Sequence, residues 1–158
     1  MVAYVFTGKI ISNFEGQLSD YTNLITYMPM LMGTGGNTGS QAATLIIRGL
    51  ATDEVEPQDF LKILWKEIRV GIILGTILSI INFARIYFLE GVPFSQTITV
   101  CTSMIGIVVF AKILGSMIPL IVKKLNLDPA LIANPAISSV SDAVALSIYF
   151  LMAGIFVF

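Results

Sequence analysis

Charged residues in this sequence are grouped into blocks, and the stretches between the blocks are long and apolar. No Asp, Glu, Lys or Arg occurs in residues 21–47, 70–84, 91–111 or 143–158. A helix of about 20 residues crosses the hydrocarbon core of a bilayer, so these stretches are long enough, or nearly long enough, to span it. With 56% hydrophobic and only 12% charged residues, the sequence predicts an integral membrane protein.

Prolines and glycines between the apolar stretches divide the chain into five predicted helices in one membrane domain, residues 1–158. Pro57 and Pro129 suit the first turn of a helix, and Gly91 and Pro93 suit a connection. The first stretch is short for a bilayer, so we expect the chain to begin inside a longer first helix. The predicted fold is all-α and polytopic, with helices at residues 1–15, 21–50, 57–90, 95–125 and 128–158.

The second predicted helix contains a glycine-rich segment, residues 33–39. Glycine weakens a helix by up to about 1 kcal/mol per residue, so we expect the helix to be interrupted or loosened there. Membranes tolerate such a backbone where it lines a cavity or packs closely. The segment leads into a polar helix face that contains Asn37, Gln41, Thr44 and Arg48.

Two glycine pairs, Gly35 with Gly39 and Gly71 with Gly75, have the spacing of close helix contacts. For Gly71 and Gly75 we expect packing against another helix. For the second predicted helix, its amide side chains leave both pore lining and packing open.

The positive charges are distributed unequally between the two sides of this layout. Positive residues are retained on the cytoplasmic side of membrane proteins, which predicts a multi-pass protein of the cell membrane with an extracytoplasmic C-terminus. Trp65 suits an anchor at the headgroup level. The predicted cytoplasmic side carries Arg48, Lys62, Lys66, Arg69, Lys123 and Lys124, and the other side carries Lys9 and Arg85.

Several classes of function are not expected from this composition. The net charge is −1 without a basic tract, so the sequence has no electrostatic footprint for nucleic-acid binding. One cysteine and no histidine leave zinc without its preferred ligands, so a bound metal must use oxygen ligands. No hydrolase triad, zinc-protease motif or phosphate-binding loop occurs, and we expect no enzyme.

One carboxylate, Asp142, lies well inside the last apolar segment. An ionised side chain at such a depth costs about 3 kcal/mol on insertion scales and usually faces a partner, a cavity or an ion path. Asn134, Ser138 and Asp142 share one face of the predicted helix. Pro135 removes a helical hydrogen bond and frees a carbonyl one turn earlier. Oxygen ligands suit hard cations, so this face predicts an ion path.

Two alternatives remain open at this stage. An ion pair between Lys112 and Asp142 neutralises the site and makes the protein a membrane scaffold that transports nothing. A coupled exchanger uses the same ion site but moves the cation against another ion. Glu67 is expected at the cytoplasmic interface, paired with Arg48 or with its own helix.

The sequence from Pro29 to Ala51 resembles the second transmembrane helix of the MgtE family of magnesium channels. Residues 65–71 resemble the start of the third helix in that family, and residues 127–150 resemble the fifth. The resemblance covers the chain from about Ile10 onward. Bacterial members carry a cytoplasmic helical domain, paired CBS modules and a connecting helix before the membrane part. The resemblance of residues 1–158 is to the membrane part and includes none of these segments, so it does not imply gating by cytoplasmic magnesium.

The resemblance implies a homodimer whose second and fifth helices line one pore along the two-fold axis. It makes Asp142 the central pore carboxylate, Asn134 a pore amide and Ser138 a position where a backbone carbonyl faces the ion. The transported ion is implied to be Mg²⁺, and Mn²⁺, Co²⁺ and Ca²⁺ also suit an oxygen-only site. The other groups predicted to face or line the pore are Gly33, Gly35, Gly36, Asn37, Gln41 and Pro135.

Overall fold

The computed structural model describes residues 8, 9, 12 and 22–157, and residues 22–157 form a bundle of long helices joined by short connections. Within the described residues, three segments are long and apolar enough to cross a bilayer: Pro57–Leu89, Phe94–Lys124 and Ala136–Phe156. The predicted all-α membrane fold is therefore confirmed, while the first predicted helix lies largely outside the described residues. The helices are α1 (Thr22–Ala51), α2 (Phe60–Phe83), α3 (Phe94–Lys124) and α4 (Pro129–Phe156). A 3₁₀ turn (Pro57–Asp59) precedes α2 and a π-helical turn (Ala84–Leu89) continues it.

Helix α3 is the centre of the bundle. It contacts α1, α2 and α4, and α1 also contacts α4, whereas α2 contacts α3 alone among these four helices. The other face of α2 exposes apolar side chains such as Ile73 and Ile80, which suits contact with lipid. The main core lies between α1, α3 and α4, and its most buried members include Leu24, Leu31, Met104, Val108, Tyr149 and Phe150.

Glycines set how closely the helices approach α3. A Cβ built on Gly115 of α3 lies 2.1 Å from the carbonyl oxygen of Gly39 in α1, so only hydrogen fits there. On the α2 side, Cβ atoms on Gly71 and Gly75 lie 2.9 Å and 3.0 Å from Cα atoms of α3. The predicted packing role of Gly71 and Gly75 is confirmed, because both positions lie against the backbone of α3.

Helix α1 is unbroken through its glycine-rich segment, so the predicted interruption is wrong. The α-helix runs continuously from Thr22 to Ala51. The prediction weighed intrinsic helix propensity, but a bilayer offers no water to a loosened backbone, and the unbroken helix satisfies its own N–H and C=O groups. Close packing of Gly39 against α3 adds contacts that a looser segment loses.

Tyrosines tie the end of α1 near Thr22 to the rest of the bundle. The hydroxyl of Tyr149 in α4 donates to the carbonyl oxygen of Leu24 at 2.9 Å. The hydroxyl of Tyr27 donates to the carboxylate of Glu90, which also forms an ion pair with Arg85 at 2.8 Å. The connection between α2 and α3 is thereby attached to α1.

At the opposite end of the bundle, Trp65 and Arg69 of α2 form an exposed pair. The guanidinium of Arg69 lies 5.7 Å from the centre of the indole ring, and the side chain of Trp65 is largely exposed. This arrangement suits a headgroup anchor at the bilayer surface.

The crossing of α1 and α3 gives a test of this packing. We expect Gly115→Ala to lower the free energy of unfolding by about 1–3 kcal/mol, because the added methyl group forces two backbones apart. Gly154→Ala is the matched control, since a Cβ on Gly154 meets no atom within 4 Å. Thermal unfolding in detergent measures both. Equal stability of the two variants contradicts the close crossing.

Candidate ion site

Asp142 lies on α4 with its side chain half-buried. No described side chain forms an ion pair with it; the two ion pairs within the described part of the chain join Arg85 to Glu90 and Lys112 to Glu67. A carboxylate at membrane depth without a countercharge among the described residues is suited to an external cation.

Lys112 pairs with Glu67, and the predicted pair with Asp142 is wrong. Its Nζ lies 3.4 Å from Oε2 of Glu67, and each of the two side chains is 9% exposed. Ile105, Val109 and Lys112 share the face of α3 that packs on α2, where Gly71 allows the close approach. Lys112 therefore points away from α4. The same geometry makes the predicted pairing of Glu67 with Arg48 or with its own helix wrong.

Helix α1 presents an open polar face. Asn37, Gln41 and Thr44 are exposed, and Cβ atoms built on Gly33 and Gly36 meet no atom within 4 Å. A groove of about 580 Å³ lies along this face, lined by Asn37, Ser40, Gln41, Thr44 and Leu45. Hydroxyl and amide groups along the groove can bond to water or to a hydrated ion.

The remaining predicted site residues have different surroundings. Gly35 is buried, and a Cβ on it lies 3.0 Å from a methyl group of Ile107 in α3, so it belongs to the packed side of α1. Ser138 is exposed on α4. Helix α4 continues through residues 134 and 135, but the side chains of Asn134 and Pro135 lie outside the described part, so their predicted roles stay predictions.

The open flanks of α1 and α4 border each other. Ile137 of α4 clusters with Ala43 of α1, and Ile47 packs against this cluster. Gly36, Ser40 and Thr44 precede Ile47 at helical spacing and so continue its stripe along α1. On α4, Ser138 follows Ile137 directly. The polar groups of both helices therefore lie close to the contact between α1 and α4.

Sequence reasoning missed two serines at this site. Ser40 lines the groove on α1. Ser141, next to Asp142, is only 3% exposed, and its Oγ has no hydrogen-bond partner among the described residues. Its position directly before the intramembrane carboxylate was the available signal.

The described part of one chain contains no group of three His, Cys, Asp or Glu side chains that could hold a metal. What one chain offers is a carboxylate beside hydroxyl, amide and carbonyl oxygens. Such a donor set suits a hard cation that keeps its water shell.

Comparison with known proteins gives consistent relationships. The family model of MgtE, described as a divalent cation transporter, matches residues 28–152. The magnesium transporter MgtE of Thermus thermophilus is 42% identical over 90% of this chain and 31% of that protein. The protein of the same name from Bacillus subtilis is 31% identical over 97% of this chain and 34% of its own length, and that from Enterococcus faecalis is 29% identical over 95% and 33%.

The chain spans about a third of the length of these curated relatives. The match nevertheless covers nearly all of the described helices, including the open face of α1 and the Asp142 region of α4. The chain therefore belongs to the MgtE family of divalent cation transporters.

Proposed function

We propose that this protein conducts divalent cations, Mg²⁺ foremost, through a pore between two copies of the chain with Asp142 at its centre. The observation that carries the proposal is the half-buried carboxylate of Asp142, which has no countercharge among the described residues and lies on a helix that packs against α1, whose exposed face is polar. The magnesium transporters named among the relatives support Mg²⁺ as the substrate.

The bilayer supplies the argument for a second copy. Asn37 and Gln41 are exposed in the single chain, and polar groups at membrane depth occur where protein or a water-filled cavity covers them. A second copy related by a two-fold axis covers both open flanks and encloses water between them. It also brings a second Asp142 to the axis, so two negative charges face one divalent ion.

The charges account for selection of divalent over monovalent cations. At about 4 Å and an effective dielectric of about 20, one carboxylate attracts a divalent ion by roughly 8 kcal/mol before desolvation costs, twice the value for a monovalent ion. Mg²⁺ sheds water reluctantly and keeps several waters in protein sites, so the pore has to hold the hydrated ion.

Discrimination by size then falls to the neutral oxygen atoms around the carboxylates. Groups that hydrogen-bond to the water shell are supplied by Ser138, by the amide of Asn134 and by the open polar face of α1. The Gly33 and Gly36 positions leave the backbone of α1 accessible from the open side. Binding through waters is weak enough at each site to let the ion leave, as conduction requires.

The scaffold alternative loses its basis, because Lys112 is occupied by Glu67 and is turned away from Asp142. The inside-positive arrangement of the basic residues supports an orientation with the C-terminal end of α4 on the extracytoplasmic side.

Removal of the pore charge is the direct test. We expect Asp142→Asn to weaken Mg²⁺ binding by about a hundredfold or more, because each copy loses an attraction of several kcal/mol, and to abolish Mg²⁺ flux into proteoliposomes. Asp128→Asn is the matched control, since Asp128 caps the same helix through a 2.8 Å bond from the Ala130 N–H and asparagine caps equally well. Undiminished flux in Asp142→Asn refutes the proposal, and flux that requires an opposing ion gradient identifies an exchanger.

Acid should weaken cation binding. The carboxylates that hold Mg²⁺ in the proposed pore also bind protons, so the cation-free state carries more protons and Mg²⁺ affinity falls as pH is lowered from about 7 to about 4. Isothermal titration at several pH values measures this. A Mg²⁺ affinity that is constant over this range argues against paired carboxylates as the ligand.

The proposed dimer can be tested by cross-linking in the membrane. We expect Gln41→Cys on the open face of α1 to link two copies through a short bifunctional thiol reagent, because the pore brings the two α1 faces together. Ile73→Cys on the exposed face of α2 is the control, and the native Cys101 is buried and does not interfere. Non-reducing gel electrophoresis detects the dimer. Equal linkage of both variants contradicts an α1-lined interface.

A further inference from the structure

The proposed pore does not use the buried ion pair between Glu67 and Lys112. Both side chains are nine-tenths or more buried, and they join α2 to α3. Oε2 of Glu67 has no hydrogen-bond partner among the described residues, so its charge is balanced by Lys112 through proximity. Intramembrane charges are costly, and a contact needed only for packing is made more cheaply by apolar side chains.

Lys112 and Asp142 lie at the same depth on neighbouring helices. Ala111, which precedes Lys112, and Ser141, which precedes Asp142, line the same narrow gap between α3 and α4. Gly39 of α1 lies against Ala111 and Ser141. Lys112 and Asp142 therefore lie at nearly the same depth, within about the rise of one residue. Their side chains leave α3 and α4 on different flanks.

The distance between these charges is short enough to matter. Neighbouring helix axes lie about 8–10 Å apart; because the two side chains leave α3 and α4 on different flanks, the ammonium group of Lys112 lies roughly 15 Å from an ion held at Asp142. An unbalanced positive charge at this distance, at an effective dielectric of about 20, weakens divalent binding by up to roughly fortyfold, and ionic screening lowers this to severalfold.

We propose that Glu67 is a positioning residue for the cation site, which holds Lys112 on the far side of α3 and cancels its charge there. The inference rests on the proposed cation pore. Without Glu67, the positive charge of Lys112 repels the ion, or the lysine side chain turns toward Asp142 and competes with the ion for that carboxylate. The long, flexible lysine side chain makes the second route sterically accessible.

Paired substitutions separate this electrostatic role from a purely structural one. We expect E67Q/K112R to lower Mg²⁺ affinity severalfold, because arginine remains charged even when it is buried and unpaired. E67Q/K112M also lacks the ion pair but carries no charge, and its Mg²⁺ affinity should return close to that of the wild type. K112M alone removes the positive charge, so its Mg²⁺ affinity should be no lower than that of the wild type. A structural role predicts a loss in all three variants.

The measurement is isothermal titration of Mg²⁺ into the full chain in lipid nanodiscs, with thermal unfolding of each variant recorded in parallel. E90Q is the matched control, because it breaks the other ion pair, with Arg85, at the exposed end of the bundle, and it should leave Mg²⁺ affinity unchanged. If E67Q/K112R fails to fold, whether K112M loses Mg²⁺ affinity decides the question.

The outcomes distinguish this inference from the proposed function. Equal losses in E67Q/K112R and E67Q/K112M, or no change in either, overturn the role of Glu67 while Asp142→Asn still abolishes binding. A wild-type chain that binds no Mg²⁺, or an Asp142→Asn variant that binds it normally, overturns the proposed pore and this inference together.

Discussion

The absence of water in the hydrocarbon core is the constraint on which the whole bundle depends, because every polar group must find a partner within the protein. Hydroxyl groups in α3 meet it by donating to carbonyl oxygens one turn earlier: Ser103 to Thr99 at 2.7 Å and Ser116 to Lys112 at 2.8 Å. Between helices, the hydroxyl of Ser79 donates to the carbonyl of Cys101 at 2.9 Å. Against this background, the exposed amides of α1 point to function, because they need a covering that one chain does not supply.

Small residues determine which helix becomes the centre. Glycines on α1 and α2 face α3 from two sides, and Gly115 of α3 meets Gly39 directly. Since apolar side chains gain little by leaving lipid for a protein interior, close backbone contact is the main attraction available between membrane helices. The same packing turns the Lys112 face of α3 toward α2 and leaves its other faces to α1 and α4, so charge and packing are arranged by one set of contacts.

The sequence predicted the helical architecture well, because the signals for it are local. Blocks of charge and the prolines at 57 and 129 indicated where helices begin. When the 3₁₀ and π-helical turns that flank α2 are counted with it, the described helices begin and end within about two residues of those predictions. The glycine-rich segment was misjudged because helix propensities measured in water carry less weight in a bilayer, where no water solvates an open backbone.

The candidate site was predictable only in part. Asp142 was found because a single charge in an apolar segment is visible in the sequence. The partner of Lys112 was not, because it depends on how α3 is rotated about its axis relative to α2 and α4, and spacing along one helix does not contain that rotation. The burial of Gly35 and the openness of Gly33 and Gly36 have the same origin, and the ion-facing roles of these residues stay predictions.

The unequal support of α4 along its length has a mechanical consequence. Its second half packs into the main core through residues such as Leu146 and Tyr149, whereas its first half has fewer buried positions: Ile137 packs against α1, but Leu131 and Ser138 are exposed. Helix α4 is therefore held most firmly in its second half, and Asp142 lies close to the start of that half. A tilt of about 10° at this point displaces the Pro129 end, about 20 Å away, by roughly 3 Å. The carboxylate itself scarcely moves, so the width of one end of the bundle can change while the position of the charge is preserved.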